Sequence, residues 1–105
     1  MDRITALKSF IQKNPADSFS RHALAMEWVK MGDDAAAEAE MRDLLGLNPD
    51  YSGTYYHLGK LLERKGALAD AVAVYEKGII ICSQKNELNN LRELKAALSF
   101  LQDEY

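Results

Sequence analysis

Cysteine, proline, long apolar runs and surplus positive charge are all scarce in this sequence, and each shortage removes a class of protein. The single cysteine, Cys82, leaves no intramolecular disulfide to form. Its apolar setting in Gly78-Ile79-Ile80-Ile81-Cys82 marks a packed thiol rather than a reactive one. No stretch approaches the roughly 18 consecutive apolar residues of a membrane span, and Met1-Asp2-Arg3-Ile4 opens an amphipathic segment instead of a signal peptide. No membrane partner is therefore expected, and the cytoplasm is the expected compartment. Lys and Arg number 13 against 16 Asp and Glu, a net charge of -3, so the basic footprint that phosphate backbones require is missing and nucleic acid is not an expected partner. Aromatics near Lys60 and Arg64 could suggest base stacking, but Tyr55 reads as a core residue and Glu63 sits among the cations.

Catalytic signatures are equally sparse. The two histidines, His22 and His57, lie 35 residues apart with no His-Glu-x-x-His or Cys-x-x-Cys spacing around them, so no metal site is expected. The acidic pairs Asp33-Asp34 and Asp103-Glu104 fall at a helix start and a chain end, where capping and solvation account for them. The serines lack a glycine-flanked nucleophile elbow, and no phosphate loop is present. These readings predict no catalytic residues and no cofactor.

What is abundant is helix-forming material. Ala, Leu, Glu and Lys dominate and β-branched residues are few, which points to an all-α fold. A chain of 105 residues is one domain by length and buries about two-thirds of its unfolded surface. Along it runs a period. Asn14-Pro15 returns as Asn48-Pro49, 34 residues on. The same offset pairs Ser18 with Ser52, Leu24 with Leu58, Ala25 with Gly59, Gly32 with Gly66, Ala37 with Ala71 and Met41 with Tyr75.

Each match has physical content. Gly32 and Gly66 follow amphipathic runs and suit the left-handed conformation that ends a helix. Asp33 or Asp34 then caps the next helix, and Pro49 stops it. Ala25 and Gly59, with Ala37 and Ala71, allow close approach of paired helices, while Trp28, Leu62, Met41 and Tyr75 fill the space around them. Residues 1–17 supply one N-terminal helix with Ile4, Leu7, Phe10 and Ile11 at helical spacing, and the offset aligns Leu7 with Met41 and Phe10 with Leu44. The chain thus begins with the second helix of a truncated repeat. Repeat one covers 18–51 and repeat two 52–85. Residues 86–105 form a capping helix striped by Leu88, Leu91, Leu94, Leu98 and Leu101.

With Tyr55, Leu58-Gly59, Leu62, Gly66, Ala71, Tyr75 and Gly78 in repeat two, and Leu24-Ala25, Trp28, Gly32, Ala37, Met41 and Pro49 in repeat one, the chain resembles the tetratricopeptide repeat family, as a small two-repeat protein of bacterial type. Ser83 takes the proline position of repeat two, and Arg21 and Leu44 depart from the pattern in repeat one. The resemblance implies an α-α superhelix of about six helices in antiparallel hairpins, and a non-catalytic scaffold whose concave face, lined by the first helix of each repeat, holds a protein or peptide segment. Carried over by register, that face comprises Phe19, His22, Met26 and Val29 in repeat one and Tyr56, Lys60 and Glu63 in repeat two. Either a partner meets these residues or the terminal helices cover them. Met26 stands where the chaperone-tail clamp of this family has an amide, so that specialisation is not expected. A monomer or weak homodimer is expected, with self-association through the leucine stripe as the alternative function.

Overall fold

The computed structural model describes residues 2–104, with the side chain of Glu104 left out. Met1 and Tyr105, the ends of the domain expected over 1–105, and the Glu104 half of the acidic pair at the chain end lie outside the described residues. Among the described residues there are six helices and no strand: α1 (Arg3–Lys13), α2 (Ser18–Lys30), α3 (Asp34–Leu47), α4 (Gly53–Lys65), α5 (Leu68–Lys85) and α6 (Leu88–Glu104). They fall into two compact units, Met1–Tyr51 and Ser52–Tyr105.

In the first unit, aspartates start each helix. Asp2 accepts from the Thr5 amide at 2.7 Å, Asp17 from Ser20 at 3.1 Å and Asp33 from Ala36 at 3.1 Å, satisfying amides that have no partner inside the helix. Gly32 ends the α2 segment at φ 81°, and α3 stops at Leu47 with Asn48 as its cap, immediately before Pro49. Helix α2 packs against both α1 and α3. Between them lie Ile11, Leu24, Ala25, Ala37, Met41 and Leu44, all buried. Trp28 does not join them as expected. It is half-buried at the edge, with the Lys8 ammonium 5.0 Å from its ring centroid, a placement that suits a large ring and a basic neighbour.

In the second unit α4 and α5 form a hairpin and α6 packs on both. Its core is Tyr55, Leu58, Leu61, Leu62, Ala71, Tyr75, Cys82, Leu94, Ala97 and Leu101. Two glycines set the distance between helices. A Cβ on Gly59 would lie 2.1 Å from the Tyr75 ring, and one on Gly78 would lie 2.6 Å from the Tyr55 Cβ and 3.0 Å from Leu94. Of the small-against-large seam inferred from the repeat, Gly59 against Tyr75 is thus present in atomic detail, and Gly78 adds a second close approach. With serine at 83 in place of proline, α5 runs to 18 residues against 14 for α3, ending at Asn86 in the left-handed conformation. Ser52 makes no side-chain cap on α4. Its hydroxyl donates instead to Glu87 at 2.7 Å, tying the start of α4 to the start of α6.

The leucine stripe of α6 is largely spent inside this unit. Leu94 and Leu101 are buried and Leu91 and Leu98 half-buried, while Leu88, at the stripe's end, is 52% exposed. Most of this apolar stripe therefore meets α5 and α4.

Candidate functional site

Tyr56, Lys60 and Glu63 are spaced i, i+4, i+7 on α4 and so share one face of that helix. The tight turn after α5 brings α6 alongside, and its residues Glu93, Ala96, Ala97 and Phe100 repeat the same helical spacing. Tyr56 and Lys60 together with these four α6 residues line a groove of about 240 Å³. Of its two alanines, Ala97 is buried and Ala96 exposed. Its outer lip is Phe100, 58% exposed despite its size.

The charged groups in this groove are held in place. Lys60 Nζ stands 5.7 Å from the Tyr56 ring centroid and 3.7 Å from Glu63 Oε2. The Tyr75 hydroxyl, arriving from the buried side of the hairpin, donates to the same carboxylate oxygen. Burial, reinforced by that bond to Glu63, holds the Tyr75 phenol far above the usual tyrosine range, so it stays a neutral donor. Glu63 is thus fixed from both sides, by Lys60 outside and Tyr75 inside. His57 packs edge-on against Tyr56 with centroids 5.5 Å apart. Burial lowers its pKa, and the Glu93 carboxylate opposes that shift.

In the first unit the expected residues lie along α2. Phe19 is 70% exposed, and His22, Met26 and Val29 are half-buried. His22 packs against Tyr51 at 5.8 Å between centroids. On the same helix Arg21 Nη1 approaches Glu40 of α3 at 3.7 Å, and its Nε donates to the Pro15 carbonyl at 2.7 Å. Burial pushes the Glu40 carboxyl above the usual range, with Arg21 pulling the other way. Among the described residues no group of three His, Cys, Asp or Glu side chains is placed to hold a metal ion, and no helix is long and apolar enough to cross a membrane.

Four α6 residues, Glu93, Ala96, Ala97 and Phe100, and one loop residue, Tyr51, were missed by sequence reasoning. The helical spacing 93, 96, 97, 100 was visible beside the leucine stripe, and the exposed Phe100 was its signal. Tyr51 carried none, because its contact depends on the turn after Pro49.

A tetratricopeptide repeat family model matches residues 52–84. The chain is similar to a tetratricopeptide repeat domain protein from Salinibacter ruber of known crystal structure, with 39% identity, a TM-score of 0.80 and coverage of 83% of this chain and 97% of that one. It shares its fold with the TPR2B domain of yeast Sti1, solved as a complex with pHsp70, at a TM-score of 0.88 and 15% identity, covering 97% of this chain and 82% of that one. Interferon-induced protein with tetratricopeptide repeats 3 of Mus musculus is 26% identical over 76 residues, 72% of this chain; the match spans only 19% of that much longer relative. The 34-residue register, the glycine seams and the near-complete overlap with the Salinibacter domain lead to one conclusion: the chain belongs to the tetratricopeptide repeat family.

Proposed function

We propose that this chain is a non-catalytic, cytoplasmic interaction scaffold that holds a protein or peptide segment on the faces presented by the first helix of each repeat. The observation that carries the reading is the groove between α4 and α6, lined by an exposed Phe100, a half-buried Tyr56 and the small side chains of Ala96 and Ala97. Aromatic side chains beside small ones accept an apolar anchor side chain, and Lys60 and Glu93 at the same groove offer one charge of each sign to the backbone or side chains on either side. Large apolar groups left open in this way are unusual on a surface with no partner. In the first unit Phe19, Met26 and Val29 offer a second apolar strip along α2 beside His22. Support from outside the chain is the Sti1 domain of like fold, which was solved holding pHsp70.

Selection of a displayed peptide library on the intact chain tests this reading. Peptides recovered from the library should bind with saturation, and Tyr56→Ala and Phe100→Ala should each weaken them about tenfold, the loss expected from one buried aromatic contact. Because both side chains sit partly in solvent, far-ultraviolet circular dichroism should be unchanged. Peptides that bind both variants as well as the parent would refute the α4–α6 groove; if Phe19→Ala or Met26→Ala then removed binding, the first unit would be the site instead.

A further inference from the structure

The groove between α4 and α6 is lined by two charged side chains, and only one of them is already engaged. Lys60 Nζ lies 3.7 Å from Glu63 Oε2 and 5.7 Å from the Tyr56 ring centroid, so its charge is answered within its own helix. Glu93, across the groove on α6, is exposed, and its carboxylate makes no hydrogen bond or ion pair among the described residues. Its field reaches His57, where it opposes the effect of burial. Burial nevertheless holds that imidazole below its ordinary pKa of 6.5 and therefore largely uncharged at pH 7. Arg92 and Lys95, beside Glu93 on α6, do not line the groove. Of the charges that do, the carboxylate is the one left to a partner.

The order of side chains along α6 identifies the chemistry of that partner. Glu93, Ala96, Ala97 and Phe100 share one helical face over about 10 Å, so a carboxylate, two methyl groups and an aromatic ring follow one another along the wall. A carboxylate beside methyl groups suits a side chain with an aliphatic stem and a cationic head, because the stem can lie on the alanines while the head stays near water. Glu93 can accept two parallel bonds from a guanidinium, which is also more weakly hydrated than an ammonium and loses less on leaving water. At the other end of the wall Phe100, with Tyr56 of α4 lining the same groove, takes an apolar residue. An acidic segment would meet Glu93 with like charge, and a purely apolar one would cover the carboxylate without answering it.

We infer that the α4–α6 groove selects a partner segment carrying an arginine beside an apolar residue, with the guanidinium on Glu93, its stem along Ala96 and Ala97, and the apolar side chain against Tyr56 and Phe100. This rests on the reading of the groove as the binding site and adds to it the charge of the partner and the residue that reads it. Glu93 determines specificity, while Tyr56 and Phe100 supply affinity with little regard to charge.

The test is selection of a displayed random peptide library on the full chain and, in parallel, on its Glu93→Lys variant. The parent should enrich arginine beside an apolar residue, and Glu93→Lys should enrich aspartate or glutamate at that place. A synthetic peptide from the parent selection should bind about tenfold more weakly once its arginine is replaced by glutamine, Glu93→Gln should cost a similar factor, and the two losses should not add. Glu76→Gln removes an exposed carboxylate of α5 outside the groove and should leave binding unchanged, which separates a direct contact from the charge of the whole chain. If Tyr56→Ala and Phe100→Ala weaken the peptide while Glu93→Gln and the glutamine peptide change nothing, the groove stands and this inference falls. Enrichment of acidic or uncharged sequences that depend on Tyr56 and Phe100 would overturn it in the same way. Peptides indifferent to Tyr56, Phe100 and Glu93 alike, or a library that yields no binder, would overturn the groove reading together with it.

Discussion

Replacing one hydrogen by a methyl group at Gly59 should unfold the second unit more readily, and the same change at Gly46 should do the reverse. Both glycines lie inside helices, where alanine is favoured by about 1 kcal/mol. At Gly46 the new Cβ meets nothing within 4 Å, so the gain is kept, about 0.5–1 kcal/mol. At Gly59 it lies 2.1 Å from Cε1, 2.6 Å from Cδ1 and 2.6 Å from Cζ of Tyr75. That ring is fully buried and its hydroxyl is bonded to Glu63, so it has no free direction in which to swing. Either the helices part, at about 1–3 kcal/mol for overpacking, or the ring moves and its bond to a charged acceptor, worth about 1.5–3 kcal/mol, is lost. After subtracting the helix gain, Gly59→Ala should cost roughly 0.5–2 kcal/mol. Urea unfolding followed by circular dichroism measures it. In a Tyr75→Ala background the obstruction is gone, and Gly59→Ala should then stabilise. A Gly59→Ala protein that melts with the parent, or a cost that persists without the Tyr75 ring, would refute the seam.

The caps of the two repeats give a second test. Asp33 caps α3, but its counterpart Ala67 makes no side-chain bond although its backbone is nearly the same, φ -85° and ψ 68° against -93° and 76°. Ala67→Asp should therefore raise stability by about 0.5–2 kcal/mol in chemical denaturation, and Asp33→Ala should lower it by a similar amount. His57 has a folded pKa below its ordinary 6.5, so the unfolded chain binds the proton first: its contribution is present above pH 6.5 and is lost as pH falls towards the folded value. A His57→Gln protein should show a flatter fall in melting temperature between neutral and mildly acidic pH, and an unchanged slope would contradict this. Glu40 has the opposite sign, its raised pKa making the folded state prefer the proton. Glu40→Gln should stabilise at pH 7 relative to the parent, with the advantage shrinking as pH falls through the raised folded pKa and gone once pH is below 4.5, as thermal melts across that range would record.

Much of the fold was legible because its determinants are local. The aspartate caps, the positive-φ glycines and the apolar spacing act within one helix or one turn, and their positions in the chain specify them. Where the structure departed from the reading, a contact between helices decided. Trp28 sits half-buried with Lys8 of α1 over its ring, and α5 gained a turn because Ser83 does not interrupt it. The α6 stripe could be read from its spacing, but that it packs on α5 and α4 depends on how the helices come together.

The candidate site was half legible for the same reason. Register alone placed Tyr56, Lys60 and Glu63 on one face of α4, since three residues of one helix need only its period. The opposite wall of the groove belongs to α6, and its approach depends on Gly78, where the absence of a side chain admits Tyr55 and Leu94 together. A larger residue there would hold α6 away from α5, and Phe100 would no longer face Tyr56 across Ala96 and Ala97. Gly78 is therefore a structural residue with a functional consequence: the groove exists at its present width because one position in the middle of α5 has no Cβ.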